Sequence, residues 1–203
     1  MSLTDQPKRR GRPPSGGREA ILAATLELLR ERGIANLNSR EVAARAGVSD
    51  ASVYYHFRDR AGLLQAVFEA GMQPLAYLST LAADTRDLLE VLTGVAHALE
   101  SFFDEALPVM FAAQSDPELR DSLASNMRQR DLGPHRGVKA LGGYLLRAQS
   151  AGRIPADVDV NAIAILLIDS CLGRSMRKQM LPEAPTKLPT LDQIVETINR
   201  LLG

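Results

Sequence analysis

The chain has 203 residues, of which 45% are hydrophobic and 24% are charged, as is usual for a folded globular protein. Its longest uninterrupted apolar run, Ala162 to Ile168, is far shorter than the roughly 20 residues that a membrane helix needs. Because Cys171 is the only cysteine, no internal disulfide can form, and we expect the protein to be cytoplasmic. The three histidines are widely separated, so we expect neither a metal site nor a cofactor.

A net charge of zero conceals an uneven distribution along the chain. Residues 1–60 carry 11 Lys and Arg against 7 Asp and Glu, whereas residues 61–203 carry 13 against 17. A basic end on an otherwise acidic chain indicates that the N-terminal part binds a polyanion and that the remainder has another role. Chance segregation of charge is the alternative at this point.

The predicted fold class is all-α, with about nine helices, because apolar side chains recur at helical spacing and no segment alternates with a period of two. Residues 1–17 are the exception. Their Pro, Gly, Ser and basic residues show no apolar pattern, which predicts a flexible basic arm. The helical pattern begins at Arg18, and Gly33 ends the first helix.

Two short helices joined by a tight turn are predicted between residues 38 and 57. Asn38 with Glu41 forms a capping-box-like start, and Gly47 ends the first of the two helices. Ser49 caps the second helix, whose outer face carries Asp50, Ser52, Tyr54, Tyr55 and His56. This arrangement is typical of a helix-turn-helix motif, whose second helix enters the DNA major groove. A solvated hairpin with half-buried tyrosines is the alternative.

The rest of the chain is also predicted to be helical. The predicted helices run from Asp59 to about Met72, over roughly 85–106, from Pro117 to Ala151 with an interruption at Gly133-Pro134, from Asp157 or Asp159 to about Met180, and from Thr190 to the C terminus. Thr190 and Gln193 form a capping box for the last helix.

The basic arm contains the run Arg10-Gly11-Arg12-Pro13, which resembles the core of an AT-hook. Glycine allows a close approach to the minor-groove floor, proline keeps the chain extended, and the arginines suit the negative potential of a narrow A·T-rich groove. We therefore expect Arg10 and Arg12 to bind DNA. A solvated basic tail is the alternative.

The stretch from Arg18 to Leu64 resembles the DNA-binding domain of the TetR (tetracycline-repressor-like) family of bacterial transcription regulators. The resemblance rests on the run from Ser39 to Ser49, on the run from Val53 to Phe57, and on the Leu63-Leu64 pair. The remainder of the chain is similar to the family only in length and helical character.

The resemblance implies an N-terminal three-helix domain over residues 18–64, with its motif at about 38–57. It also implies a larger helical bundle over residues 65–203 that binds an effector and dimerises. By position in the family's motif, Arg40 reads a base edge, Ser39 and Tyr54 contact phosphates, and Arg60 replaces a phosphate-contacting lysine. The DNA-contact positions of this domain, in addition to Arg10 and Arg12 of the arm, are Ser39, Arg40, Ser49, Ser52, Tyr54, Tyr55, His56 and Arg60.

The C-terminal part shows no nucleophile elbow, phosphate loop or metal-ligand spacing, so we do not expect an enzyme. Its aromatic and methionine residues are most simply core residues. If the resemblance holds, some of them line an effector cavity; the candidates are Phe102, Phe103, Met110, Phe111, Met127 and Tyr144. Arg128, Arg130 and Arg147 are suited either to an anionic effector or to solvent.

The predicted function is that of a ligand-responsive, sequence-specific transcriptional regulator: a homodimeric repressor that a small-molecule effector releases from a palindromic operator in double-stranded DNA. The apolar faces of about 160–180 and 191–202 are predicted to join the two copies. One alternative is an all-α small-molecule-binding protein or enzyme whose basic N terminus is not a specific DNA reader. Another is an architectural DNA protein that uses the arm as its main contact.

Overall fold

The computed structural model describes residues 17–34, 37–181 and 188–203. Within these ranges the chain forms nine α-helices and one 3-10 helix and contains no β-strand, which confirms the all-α prediction. The helices are α1 (Gly17–Arg32), α2 (Ser39–Ala46), α3 (Asp50–His56), α4 (Arg60–Gly71), a 3-10 helix (Gln73–Ala83), α5 (Leu88–Gln114), α6 (Pro117–Gln129), α7 (Pro134–Ser150), α8 (Val160–Met180) and α9 (Leu191–Leu201).

The predicted caps form the helix-turn-helix motif. The Asn38 side chain accepts a hydrogen bond from the Glu41 backbone N–H at 2.9 Å, which begins α2. Gly47 ends α2 at a φ of +67°, a left-handed conformation that favours glycine, and the chain turns there into α3. The Asp59 carboxylate then accepts from the Gly62 N–H at 2.7 Å and begins α4.

Caps also define the C-terminal helices. Asp116 accepts from the Leu119 N–H at 3.1 Å, and α6 starts at the following proline. The sequence left the start of α8 open between Asp157 and Asp159. Asp159 is the cap, because its carboxylate accepts from the Asn161 and Ala162 backbone N–H groups. The predicted capping box of Thr190 and Gln193 is present at the start of α9.

Helix α5 is longer than the sequence indicated. It continues past the expected end near residue 106 to Gln114, and Pro108 lies inside it. In an α-helix the Asp104 carbonyl would accept from the backbone N–H of residue 108. Because proline has no N–H, Pro108 leaves this carbonyl without its helical donor. The Arg30 guanidinium of α1 donates to this carbonyl at 2.8 Å. A side chain from another helix thus replaces the missing backbone donor, and the helix continues.

This replacement makes a prediction about stability. We expect Arg30→Met to lower the free energy of unfolding by about 1 kcal/mol, because the Asp104 carbonyl then loses its donor. Pro108→Ala restores a backbone N–H at that position, so the cost of Arg30→Met measured in a Pro108→Ala background should fall to less than half. Urea unfolding of the four proteins of this cycle measures both values. Equal costs in the two backgrounds would show that the hydrogen bond does not compensate for the proline.

Two hydrophobic cores organise the molecule. One lies between α1, α2, α3 and α4 and extends onto the C-terminal half of α5 and onto α6. The other lies between the 3-10 helix, the N-terminal half of α5, α7, α8 and α9. Phe102 of α5 contacts both cores. The helices that carry the helix-turn-helix motif therefore share a core with part of the larger bundle.

The last two helices differ from the expectation that both present apolar faces to a second copy. The stripe of α9 is buried within the chain's own core, where Leu191, Val195 and Ile198 are no more than 5% exposed. These three side chains are therefore not available to a second copy, whereas Leu201 of the same helix is 55% exposed, and an interface through α9 stays a prediction. By contrast, α8 has two apolar faces: one is buried, and the other leaves Ile165 and Leu166 46% and 51% exposed.

Candidate functional site

The predicted DNA-contact residues of α2 and α3 form one exposed surface. The Ser39 hydroxyl donates to the Tyr54 hydroxyl at 3.2 Å, which joins the start of α2 to the middle of α3. Tyr54 and Tyr55 are 59% and 81% exposed, although tyrosines usually bury much of their ring. Arg40 is also exposed, one residue after Ser39. The surface therefore offers a guanidinium, hydroxyl groups and ring faces together.

Arg40 differs from the neighbouring arginines of α1 and α2. Arg32 pairs with Glu41 at 2.7 Å, and Arg45 pairs with Glu31 at 2.8 Å, which ties α2 to α1. The Arg45 hydrogen bond holds the pKa of Glu31 below its usual range. Arg40 pairs with no acidic side chain in the described ranges. Its five donors remain available for an external acceptor.

Three further predicted contact residues, beside the bonded pair Ser39 and Tyr54, are engaged within the chain. Ser49 caps α3 by accepting from the Ser52 N–H at 3.2 Å, and the two serine hydroxyls lie 2.9 Å apart. Arg60 donates to the Ile34 carbonyl, which ties the start of α4 to the chain leaving α1. The intrachain hydrogen bonds of these side chains therefore stabilise the motif in the absence of DNA.

His56 lies where the N-terminal arm joins the domain. Its ring packs edge-on against Tyr55, with ring centres 5.2 Å apart. A Cβ added to Gly17, the first described residue, would lie 3.8 Å from His56 Nε2. The attachment point of the arm is therefore next to the end of α3. Arg10 and Arg12 themselves lie outside the described residues.

A cavity of about 280 Å³ lies between α4, α5 and α6, and the 3-10 helix and the start of α7 also contribute to its wall. Four of the six predicted effector residues line it: Phe102, Phe103, Met110 and Met127. Phe68 contacts Phe102 edge-on, with ring centres 6.2 Å apart. The lining is almost entirely aliphatic, aromatic and thioether, as in a site for an apolar ligand.

The other two predicted effector residues lie elsewhere. Phe111 faces away from the cavity, into a groove that α5 forms with α1 and the end of α8. Tyr144 is 1% exposed within the core of the C-terminal bundle, where burial raises the pKa of its hydroxyl. Helical spacing indicated that both residues are apolar contacts but not on which side of their helices a cavity opens.

Part of the cavity wall comes from residues of α4 and α6 that were not among the six predicted effector residues. Phe68 of α4 and Met72, which directly follows that helix, line the cavity, as do Arg120, Leu123 and Ala124 of α6. The available signal was the width of the apolar face of α4, which is too broad for one contact surface. That face is divided between the core of the helix-turn-helix motif and the cavity.

Helix α4 connects the core beneath the α2–α3 surface with the cavity. Leu64 and Val67 are buried in the core that holds α2 and α3, whereas Phe68 lies in the cavity wall. The end of α4 lies close against α5, since a Cβ on Gly71 would be 3.2 Å from Glu105 Cβ. Glycine at this position therefore permits the close approach of the two helices.

An ion pair adds a second contact between α4 and the cavity wall. Glu69 of α4 accepts a hydrogen bond from Arg130 at 2.5 Å, and Arg130 directly follows α6. Met127 and Leu132, on either side of Arg130 in the chain, both line the cavity. A displacement of the end of α6 would therefore be transmitted to α4 through this ion pair.

The described residues give no support to a metal, membrane or thiol site. In these ranges, no three His, Cys, Asp or Glu side chains come together in a group able to hold a metal ion. No helix in that part of the chain is long and apolar enough to cross a bilayer. Desolvation raises the pKa of the buried Cys171 thiol to about 12, so the reactive thiolate form is scarce at neutral pH.

Comparisons with known proteins agree with a DNA-binding role for the surface formed by α2 and α3. Residues 21–67 match the family model for bacterial regulatory proteins of the tetR family. The chain is 23% identical over 189 residues to the HTH-type transcriptional regulator TtgR of Pseudomonas putida, a match that covers 89% of this chain and 88% of TtgR. It is 35% identical over 79 residues to the class C tetracycline repressor protein of Escherichia coli, which covers 39% of this chain and 36% of the repressor.

The similarity extends to the fold of the whole chain. A crystal structure from Rhodococcus sp., described as that of a TetR-family transcriptional regulator, superposes with a TM-score of 0.62 and 25% identity over 94% of this chain and 100% of that chain. The segment that the family model matches lies within α1–α4, the helices that carry and support the exposed Arg40 and Tyr54 surface. Residues 21–67 are therefore a TetR-type DNA-binding domain, and the protein is a DNA-binding transcriptional regulator whose fold is similar to that of TetR-family regulators.

Proposed function

We propose that this protein is a cytoplasmic, homodimeric repressor that binds a palindromic operator and leaves it when a small molecule occupies the cavity between α4, α5 and α6. The observation that carries the proposal is the position of α4, which lies in the core of the helix-turn-helix motif and in the cavity wall at once. Repression is supported by the similarity to the class C tetracycline repressor.

On DNA, the surface formed by α2 and α3 reads the major groove. Arg40 contacts a base edge, with guanine O6 and N7 as the acceptors that best match its paired donors. Ser39, Tyr54, Tyr55 and His56 contact phosphates or bases, while Ser49, Ser52 and Arg60 keep the motif in place. Arg10 and Arg12 add minor-groove contacts, since the arm joins the domain next to His56.

The second copy binds to the outer face of α8. Ala162, Ile165, Leu166 and Asp169 recur at the spacing of one helix face, and all four are exposed although the first three are apolar. The opposite face of α8 is already buried against the rest of the chain. A palindromic operator requires a twofold-related pair of recognition helices, and this unpaired apolar face is where two copies join.

The ligand acts through α4. A molecule between Phe68 and the α6 residues would push α4 relative to α5, with the close contact at Gly71 as the fixed point. Two recognition helices must reach half-sites about 34–36 Å apart, so a displacement of α4 in both copies prevents simultaneous docking. A ligand that prefers the DNA-incompetent form by about 1–3 kcal/mol is sufficient for a typical allosteric response.

A footprinting experiment on the DNA upstream of the protein's own gene tests the proposal. We expect protection of one palindromic segment, whereas a scrambled duplex of equal length and composition should bind at least 1000-fold more weakly, on the order of the ratio known for specific binders. Equal binding to both duplexes would contradict it. Ligands found by thermal shift should then bind more weakly in the presence of the operator, by the same factor by which they weaken DNA binding.

A further inference from the structure

The polar groups of the cavity are concentrated at one end. Among the described residues that line it, Gln114 and Arg120 are the only ones with a polar side chain, and no carboxylate is present. Gln114 is the last residue of α5, and Arg120 lies in the first turns of α6. Both side chains are exposed, so they lie at the solvent-facing mouth of the cavity at the α5–α6 corner. The rest of the lining is apolar.

Arg120 is only weakly engaged within the chain. Its Nε lies 3.3 Å from the Asp121 carboxylate, and that aspartate is itself 76% exposed. Its two terminal guanidinium nitrogens contact no acceptor in the described part of the chain. Arg130 and Arg147, in contrast, donate to Glu69 and to the Leu81 carbonyl. Arg120 is thus the arginine at this cavity that has donors to spare.

We propose that the effector is an amphipathic anion, with an apolar body inside the cavity and a single carboxylate held by Arg120 and Gln114 at its mouth. This inference rests on the proposal that the cavity is the effector site. An ammonium head group would find no counter-charge in the lining, whereas a carboxylate gains charge-assisted hydrogen bonds from the guanidinium. Since a water occupies about 30 Å³ of liquid, a cavity of about 280 Å³ admits a body on the order of ten non-hydrogen atoms.

Three probes of equal chain length test the head group: decanoate, decanol and decylamine, titrated into the full-length protein without DNA and monitored by calorimetry. We expect decanoate to bind about tenfold more tightly than decanol, the usual advantage of a hydrogen bond to a charged group, and decylamine to bind most weakly. In Arg120→Gln, decanoate should fall to the affinity of decanol, and decanol should be unchanged. Arg128→Gln removes an exposed arginine of the same helix outside the lining, so it should retain the preference.

A second variant tests the location. Ala124 is half-buried in the cavity wall, and Ala124→Phe should fill the cavity and abolish binding of all three probes while the circular dichroism spectrum stays native. No preference for decanoate, no binding of any probe, or a preference that survives Arg120→Gln would overturn the inference. Release of DNA by all three probes alike would contradict only the inference, whereas a decanoate preference without any effect on DNA binding would contradict only the proposed function.

Discussion

Replacing Arg40 by alanine is expected to weaken operator binding by about 2–6 kcal/mol per dimer, since each bidentate base contact is worth about 1–3 kcal/mol and the dimer makes two. This corresponds to a loss on the order of 30-fold to 10,000-fold in affinity. The loss should be confined to the operator, so the ratio of specific to non-specific affinity should fall. The physical reason is that Arg40 is exposed and, among the described residues, has no acidic partner that substitution would also disturb.

Fluorescence anisotropy with operator and scrambled duplexes measures this ratio. Tyr54→Phe is the informative comparison, because it removes only the hydroxyl that bonds Ser39, and a phosphate contact should weaken both duplexes alike. Arg136→Ala, at an exposed position of α7, controls for the loss of one positive charge from the dimer's field. An unchanged ratio in Arg40→Ala would refute base reading by this residue.

Replacing Leu166 by glutamate is expected to give a folded monomer that has lost operator affinity by about 100-fold or more, because linked half-site binding contributes a factor on the order of 10²–10⁴. Leu166 is half-exposed on the outer face of α8, so a charge is tolerated in the monomer but not in a dimer interface. Sedimentation equilibrium at micromolar concentration, with circular dichroism, separates assembly from folding.

Two further variants show whether the effect depends on position. Ile198→Glu places a charge in a side-chain site that is 5% exposed within the chain's own core, so it should unfold the protein rather than only dissociate it. Met180→Glu changes an exposed apolar residue at the far end of α8 and should remain dimeric. If Leu166→Glu sediments as a dimer, the second copy does not bind at this face.

The recognition motif shows what local sequence determines. The Asn38 and Ser49 caps and the left-handed Gly47 act within a few residues of themselves, so they define α2, the turn and α3 without help from distant parts of the chain. The exposure of Tyr54 and Tyr55 follows from the same local periodicity. The helix-turn-helix motif and most of the candidate DNA surface could therefore be predicted from the order of the residues alone.

Helices α5 and α9 show what local sequence leaves open. Pro108 is a helix breaker by its own chemistry, and the donor that it lacks is replaced by Arg30, 78 positions earlier in the chain. The stripe of α9 is equally suited to a second copy or to its own chain, because an apolar face does not identify what covers it. In both cases the outcome depends on a partner far away in sequence.

The cavity depends on tertiary structure most of all. Hydrophobic spacing indicated that Phe102, Phe111 and Tyr144 are apolar contacts, but only one of the three lines the cavity. A cavity is a place where packing between helices is incomplete, and this is a property of how α4, α5 and α6 diverge rather than of any one of them. The sequence by itself determined the helices, their caps and the motif that meets DNA, since these arise from interactions over a few residues. The tertiary structure decided which apolar faces are buried, which apolar face of α8 stays exposed, and which side chains of α4, α5 and α6 line the cavity.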